Sequence, residues 1–157
     1  MGNQFGADGG LMAKKITPPR NLHERAERMR NALAWFEDKP FSWQTSANCI
    51  HALRALAVAF GRKAPPVPRF RTPLGARRAI RRRGHADLRS LIGAYLGPEI
   101  APAMAIVGDA ALLPGEGLGA VVFYAGGGQW LGWHGEDQSR MQAFSMPGDA
   151  FLAAWRM

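Results

Sequence analysis

The sequence predicts an α+β domain, on three observations. Residues 21 to 96 carry apolar side chains at helical spacing behind good cap residues, whereas the chain after about residue 104 breaks into short apolar runs punctuated by glycine. Helices come first and strands second, the order of an α+β fold rather than of alternating βαβ units. A length of 157 residues with a single cysteine suits one domain held by packing alone, without a disulfide or a cysteine-rich metal site.

Each element has a local cause. Residues 1–20 are rich in glycine, contain Lys14-Lys15 and Pro18-Pro19, show no periodicity, and are expected to form a flexible arm. The single folded unit is expected over residues 21–157. Asn21 followed by Glu24 resembles a capping box, and Leu22, Ala26, Met29, Leu33 and Phe36 recur at helical spacing until Asp38-Lys39-Pro40. A second helix is expected to open near Asn48, with Cys49, Leu53, Leu56 and Phe60 on one inward stripe and His51 and Arg54 pointing elsewhere. Gly61 stops it, and "RKAPPVPRF" reads as an extended proline-rich connection.

Thr72-Pro73 is a cap and first-turn pair for a third helix that ends at Gly84, with Leu74 and Ile80 among its few apolar contacts. A fourth is expected from Asp87 to Leu96, with Leu88, Leu91, Ile92 and Tyr95 inward, closed by Gly97-Pro98. The segments "AIVGDAALLP", "LGAVVFYAGGG", "QWLGWHGED" and "RMQAFSMPGD" read as antiparallel strands joined by tight turns, and "AFLAAWRM" as a terminal strand or short helix. The glycine triplet at 126–128 is a hairpin turn, since it lacks the strand-to-helix context and Lys-Ser/Thr ending of a phosphate loop.

Charge narrows the classes of partner. The formal net charge is +8, and Arg77, Arg78, Arg81 and Arg82 share one side of the third helix with no acid among them. Such a face favours an acidic protein surface, a nucleic acid or an anionic wall polymer, and no motif that reads nucleic acid accompanies it. The first twenty residues hold no stretch like a secretion signal, no run is apolar and long enough to span a bilayer, and Gly6 breaks the myristoylation pattern behind Gly2. The expectation is a chain made without a signal peptide. No metal site or cofactor is expected, because Glu136 and Asp137 sit in one turn without a second ligand pair. Trp130 and Trp133 are an odd number apart and face opposite sides of a regular strand, so Trp133 is a candidate exposed anchor for a partner.

The order of the parts carries a resemblance. "PFSWQTSANC" leading into a helix, then "FRTPLGARRAIRRRG", then "VGDAALLP" before "GAVVFYAGGGQWLGWHG", and the closing "AAWRM", resemble the NlpC-type branch of the papain-like cysteine peptidases. More narrowly they are similar to short tailed-phage and prophage proteins of that fold. The resemblance spans about residues 21–157 and rests on order rather than on one motif. It implies helices packed on a small antiparallel sheet, Cys49 at the nucleophile position, a Gly-Asp pair (Gly108-Asp109) opening the first strand, and a catalytic histidine opening the next strand.

This chain departs from that pattern. Gln44 follows Trp43 where glycine is usual, Asn48 precedes Cys49 where aspartate is usual, and the histidine position falls at about Leu118 to Ala120, where there is none. A cysteine attacks as thiolate, and an adjacent imidazole both lowers its pKa and supplies the leaving-group proton. Of the four histidines, His51 points away on the helix, His23 and His85 read as solvated, and His134 is the candidate base or orienting residue, because its strand neighbours the histidine strand. Cys49 is thus a nucleophile, the relic of one, or a small buried residue.

Three functions follow as expectations. The first is a structural component of a phage tail tip or baseplate hub with a degenerate hydrolase domain, located in the virion and docked on hub, distal tail or tip proteins through Arg77, Arg78, Arg81, Arg82 and the arm. The second is a cysteine amidase or endopeptidase acting on peptidoglycan during genome delivery. The third is a basic nucleic-acid-binding accessory protein.

Overall fold

The computed structural model describes residues 15–115 and 117–157. Most of the expected arm, residues 1–14, lies outside the described residues. Residues 15–20 run without helix or strand, and they are tied to the body: Arg28 donates to the Thr17 carbonyl, and Gly61 lies so close to Ile16 that a Cβ there would come within 2.8 Å of its carbonyl oxygen.

Four helices form where the caps predict them. They are α1 (Leu22–Glu37), α2 (Cys49–Ala59), α3 (Pro73–Arg82) and α4 (Leu88–Leu96). Asn21, Asn48, Thr72 and Asp87 each accept, through the side-chain oxygen, from the backbone N–H three residues on. Each such bond is worth about 1 kcal/mol against alanine. Glu24 pairs with Arg20 at 2.7 Å, beside the Asn21 cap.

The strands are β1 (Glu99–Ile100), β2 (Ala110–Leu113), β3 (Ala120–Gly126), β4 (Gln129–Gly132), β5 (Gln142–Phe144) and β6 (Ala153–Trp155). They form one sheet in the order β1-β6-β2-β3-β4-β5, every described pairing antiparallel. The closing "AAW" is a strand, and it inserts between β1 and β2 so that Ala110 pairs with Phe123 on one side and Trp155 on the other. Gly126, Gly127 and Gly128 turn the β3–β4 hairpin with φ of 93°, 61° and 78°, a region that favours glycine.

Both faces of the sheet are covered. Ala110, Leu112, Val121, Phe123 and Trp155 face the helices, where they meet Leu33, Leu56 and Ile92. Ala111, Leu113, Val122, Trp130 and Ala154 face a second, smaller core closed by Ile100, Phe144, Met146 and Phe151. The period-two alternation therefore sorts residues between two cores rather than between core and water.

That double cover corrects the expected anchor. Trp130 and Trp133 do belong to opposite cores, yet both are buried, and the Trp133 indole donates to the Lys39 carbonyl at 2.8 Å. Trp133 is a buried wall of the fold rather than an exposed anchor. Three helix positions also depart from expectation: Leu22, Leu74 and Tyr95 are exposed, while Arg25, Ala76 and Ala79 take inward places.

Arg25 is inward because Asp109 is. Asp109 is fully buried, with Oδ1 accepting from Arg25 Nη2 at 2.7 Å and Met157 N at 2.9 Å, and Oδ2 from Arg156 Nε at 2.8 Å and Ile106 N at 2.9 Å. Arg25 also donates to the carbonyls of Val107 and Met157. Burial lowers the Arg25 pKa and the Asp109 charge opposes that shift. The preceding glycine is required by geometry: Gly108 has φ +94°, and a Cβ there would lie 2.6 Å from the Phe60 ring. The Gly-Asp pair thus clamps α1 to both ends of the sheet segment. Among the described residues no helix is long and apolar enough to cross a membrane.

Candidate active-site cleft

Asn48 organises the loop that delivers Cys49. Its Oδ1 accepts from the His51 backbone N–H at 3.1 Å, and its Nδ2 donates to the carbonyls of Thr45 at 3.1 Å and Ser42 at 3.4 Å. A carboxylate can only accept, so aspartate at this place would leave both loop carbonyls unpaired. The loop adds its own closures, Ser42 N to Ala47 O and Asn48 N to Ser46 O. This local chemistry accounts for asparagine where the resembled peptidases have aspartate.

Cys49 opens α2 beneath the start of β3 and is buried. Burial pushes its thiol pKa up, while backbone hydrogen-bonding groups of Val121, Cys49 and Ile50 act in the opposite direction without overcoming it. The sulfur is therefore held as a thiol at neutral pH.

A cleft of about 410 Å³ opens beside it, walled by Phe41, Trp43, Trp133 and Gln138 and, from β3, by Ala120. The aromatics interlock edge to face, Phe41 with Trp43 at 5.0 Å and with Trp133 at 5.5 Å between ring centres. Gly119 and Ala120, within the stretch where the resemblance puts the catalytic histidine, line this cleft with Cys49. Gly119 cannot simply exchange for histidine, since it has φ +89° and a Cβ there would lie 2.7 Å from the Leu113 carbonyl oxygen. Ala120 carries no such bar.

The neighbouring strand offers no replacement. Gly132 is pressed against Val122, whose Cγ1 would sit 2.7 Å from any Cβ, and the Gln129 amide is bound to Ser145. His134, the candidate base, follows β4, where its ring stacks on Phe144 with centres 4.5 Å apart. Trp133 and Gly135 on either side line the cleft and His134 does not. The structure therefore does not bring Cys49 and His134 together. His85 faces Ser90, and His23 is exposed. His51 lies two residues beyond Cys49, on another side of the helix, and is bound through Nδ1 to Asn48 Oδ1 at 3.0 Å. Among the described residues no three His, Cys, Asp or Glu side chains gather as metal ligands.

Arg77, Arg78, Arg81 and Arg82 are all exposed on α3, opposite the buried Ala76, Ala79 and Ile80. None of the four pairs with a carboxylate among the described residues. Arg69 and Arg71, on the connection before α3, were not singled out by sequence; they line a separate cavity with His51.

The helix-start cysteine, the histidine-strand position above it and the sheet order define an α+β domain with an NlpC-like, papain-like core. A family model described as a domain of unknown function, DUF6950, matches residues 20–157, and the chain belongs to that family. No curated protein matches it. Among solved structures, it is similar to the P60 domain of antigen MAP1272c from M. avium paratuberculosis, with 17% identity, a TM-score of 0.52, and coverage of 87% of this chain and 95% of that one. The P60 domain of antigen MAP1204 from M. avium subspecies paratuberculosis gives 16% identity, a TM-score of 0.50, and coverage of 85% and 95%. A weaker likeness, with a TM-score of 0.42 and 17% identity over 84% and 96%, is to RipD from Mycobacterium tuberculosis, described as a non-catalytic NlpC/p60 domain protein adapted to peptidoglycan binding. At such identities the likeness is one of fold.

Proposed function

We propose that this chain is a non-catalytic NlpC/p60-type domain serving as a structural adaptor in a tailed-phage or phage-derived particle, at the tail tip or baseplate hub. The observation that carries the non-catalytic reading is the cleft itself: Cys49 is buried as a thiol, and Gly119 and Ala120 occupy the wall where an imidazole would have to stand. Without a general base, nucleophilic attack and leaving-group protonation both lack a proton carrier. The tail assignment rests on the sequence resemblance in the order of its parts.

Docking falls to the guanidiniums of α3, none of which pairs with a carboxylate among the described residues. Four exposed arginines on one side of a helix suit an acidic surface on a neighbouring tail protein, because Arg pairs carboxylates in two-point geometry. The virion is the corresponding location.

The test is assembly. Particles made with R78Q/R82Q are expected to lose this protein from purified tails, while particles with Cys49→Ala retain it and infect normally. Particles lacking the chain that still show complete tails with an unchanged tip contradict the adaptor. Peptidoglycan cleavage that disappears in Cys49→Ala would establish the amidase instead. Tight, salt-sensitive binding to DNA that R78Q/R82Q abolishes, with tail incorporation unaffected, would establish the nucleic-acid protein.

A further inference from the structure

A second cavity, of about 310 Å³, lies on the far side of the Cys49 loop, between the first turn of α2 and the extended segment that leads into α3. Its polar lining is one-sided in charge. Arg69 and Arg71 flank it from the segment, Thr45 and Ser46 bring hydroxyls from the loop, and His51 brings its ring from α2. Among the described residues neither arginine is paired with a carboxylate, and no acid lines the cavity.

The walls are fixed. Arg54 Nε donates to the Pro65 carbonyl at 2.9 Å and Arg83 Nη2 to the Pro66 carbonyl at 3.0 Å, which pin the proline-rich segment to α2 and α3. Phe70 packs between the His51 ring at 6.1 Å and the Trp43 ring at 5.7 Å, which sets the positions of the arginines on either side of it.

The His51 ring is oriented as well as placed. The Asn48 amide nitrogen is spent on two loop carbonyls, so the atom facing His51 is an acceptor, and Nδ1 must be the protonated nitrogen. That leaves Nε2 for the cavity: a lone pair in the neutral ring, a donor in the cation. The charged groups around it are Arg54 on its own helix and Arg69 and Arg71 across the cavity, while the loop contributes uncharged Gln44, Thr45 and Ser46. A dianion would offset these cations and accept from Nε2–H.

We propose that this cavity is a binding site for the phosphoryl group of a small molecule, held between Arg69 and Arg71, hydrogen-bonded by the Thr45 and Ser46 hydroxyls, and taken up together with a proton on His51. Two guanidiniums give the planar two-point donors that match a tetrahedral oxyanion. At about 310 Å³ the cavity far exceeds the roughly 10–15 Å³ that holds a single water, and Phe70 lines it beside the arginines. In the free protein burial and then Arg54 lower the His51 pKa and favour the neutral ring, and a bound anion facing Nε2 favours the cation. Binding is accordingly tighter in acid.

Sulfate is the first probe, because its charge does not change over the range, followed by methyl phosphate as the phosphoryl compound. Calorimetric titration of the full chain is expected to show saturable binding that tightens by about tenfold from pH 8 to about pH 5.5, with the His51 ring signals shifting in step in an NMR titration. R69Q/R71Q, at exposed positions that leave the fold intact, loses at least about tenfold. His51→Gln retains some binding but loses its pH dependence, and R78Q/R82Q binds as wild type. Loss of binding in R78Q/R82Q equal to that in R69Q/R71Q, the absence of saturable binding, or binding without movement of the His51 signals overturns the proposal. So does a single-stranded oligonucleotide that displaces sulfate where methyl phosphate does not.

Discussion

Asp109 Oδ1 stands 2.7 Å from Arg25 Nη2, joining two residues 84 positions apart in a buried ion pair. Arg156 completes it at 2.8 Å on the other carboxylate oxygen, with its own side chain 43% exposed. Removing one partner of a buried pair leaves an uncompensated charge, at a cost of about 3–5 kcal/mol, whereas an exposed partner is worth about 1 kcal/mol or less. Asp109→Asn is therefore expected to lower unfolding free energy by about 3 kcal/mol or more, and Arg156→Ala by far less. Urea denaturation of both variants checks the order.

Gly108 and Gly127 both have positive φ, but only Gly108 faces a neighbour. Gly127→Ala should cost about 1–2 kcal/mol from conformation alone. Gly108→Ala adds a collision with the buried Phe60 ring and should cost clearly more. Adding Phe60→Leu to Gly108→Ala should recover part of the loss, measurable as a non-additive double-mutant cycle.

The indole N–H of Trp155 is, among the described residues, the one buried side-chain polar atom found without a partner. Gly93 on α4 lies beneath it, and a Cβ there would be 3.8 Å from that nitrogen, an ordinary contact. Gly93→Ser should stabilise the protein, gaining a few tenths of a kcal/mol in helix propensity and about 1 kcal/mol from the new acceptor. Thermal unfolding reads the gain, and a lower melting temperature would show that the helix cannot accept the side chain.

Cys49 links stability to alkaline pH. Its folded pKa is raised by burial, so the folded state keeps its proton where the unfolded chain has lost it. The contribution is complete below the unfolded thiol value of about 8.5 and is lost as pH rises from there toward the raised folded value. Wild type should lose stability over that window, and Cys49→Ala should flatten the loss. Equal alkaline slopes for the two proteins would place the cause elsewhere.

Much of this architecture is legible in the sequence because it is written locally. Asn21, Asn48, Thr72 and Asp87 cap their helices through bonds spanning three residues, and the 126–128 glycines make their own turn. Cys49 at the helix start is legible for the same reason, whereas the lack of a histidine at about 118–120 has meaning only through the resemblance. What escaped depends on distant pairing. The inward turn of Arg25 needs Asp109; the burial of Trp133 needs a sheet covered on both faces; and the two-residue β1 exists only because β6 lies beside it. Arg69, Arg71 and His51 form a cavity only after the proline-rich segment folds back on α2.

The central claim is the proposed non-catalytic reading: Cys49 is a buried thiol beside a cleft whose β3 wall is built by Gly119 and Ala120 without a histidine. The measurement that tests it most directly is the rate of iodoacetamide labelling of Cys49 against pH, in wild type and in Ala120→His. The account predicts slow labelling of wild type until strongly alkaline pH, and a rise of at least about tenfold near neutral pH in Ala120→His, since an imidazole beside a cysteine lowers its pKa. Fast labelling of wild type at neutral pH, unchanged in His134→Ala and in Ala120→His, would contradict the account.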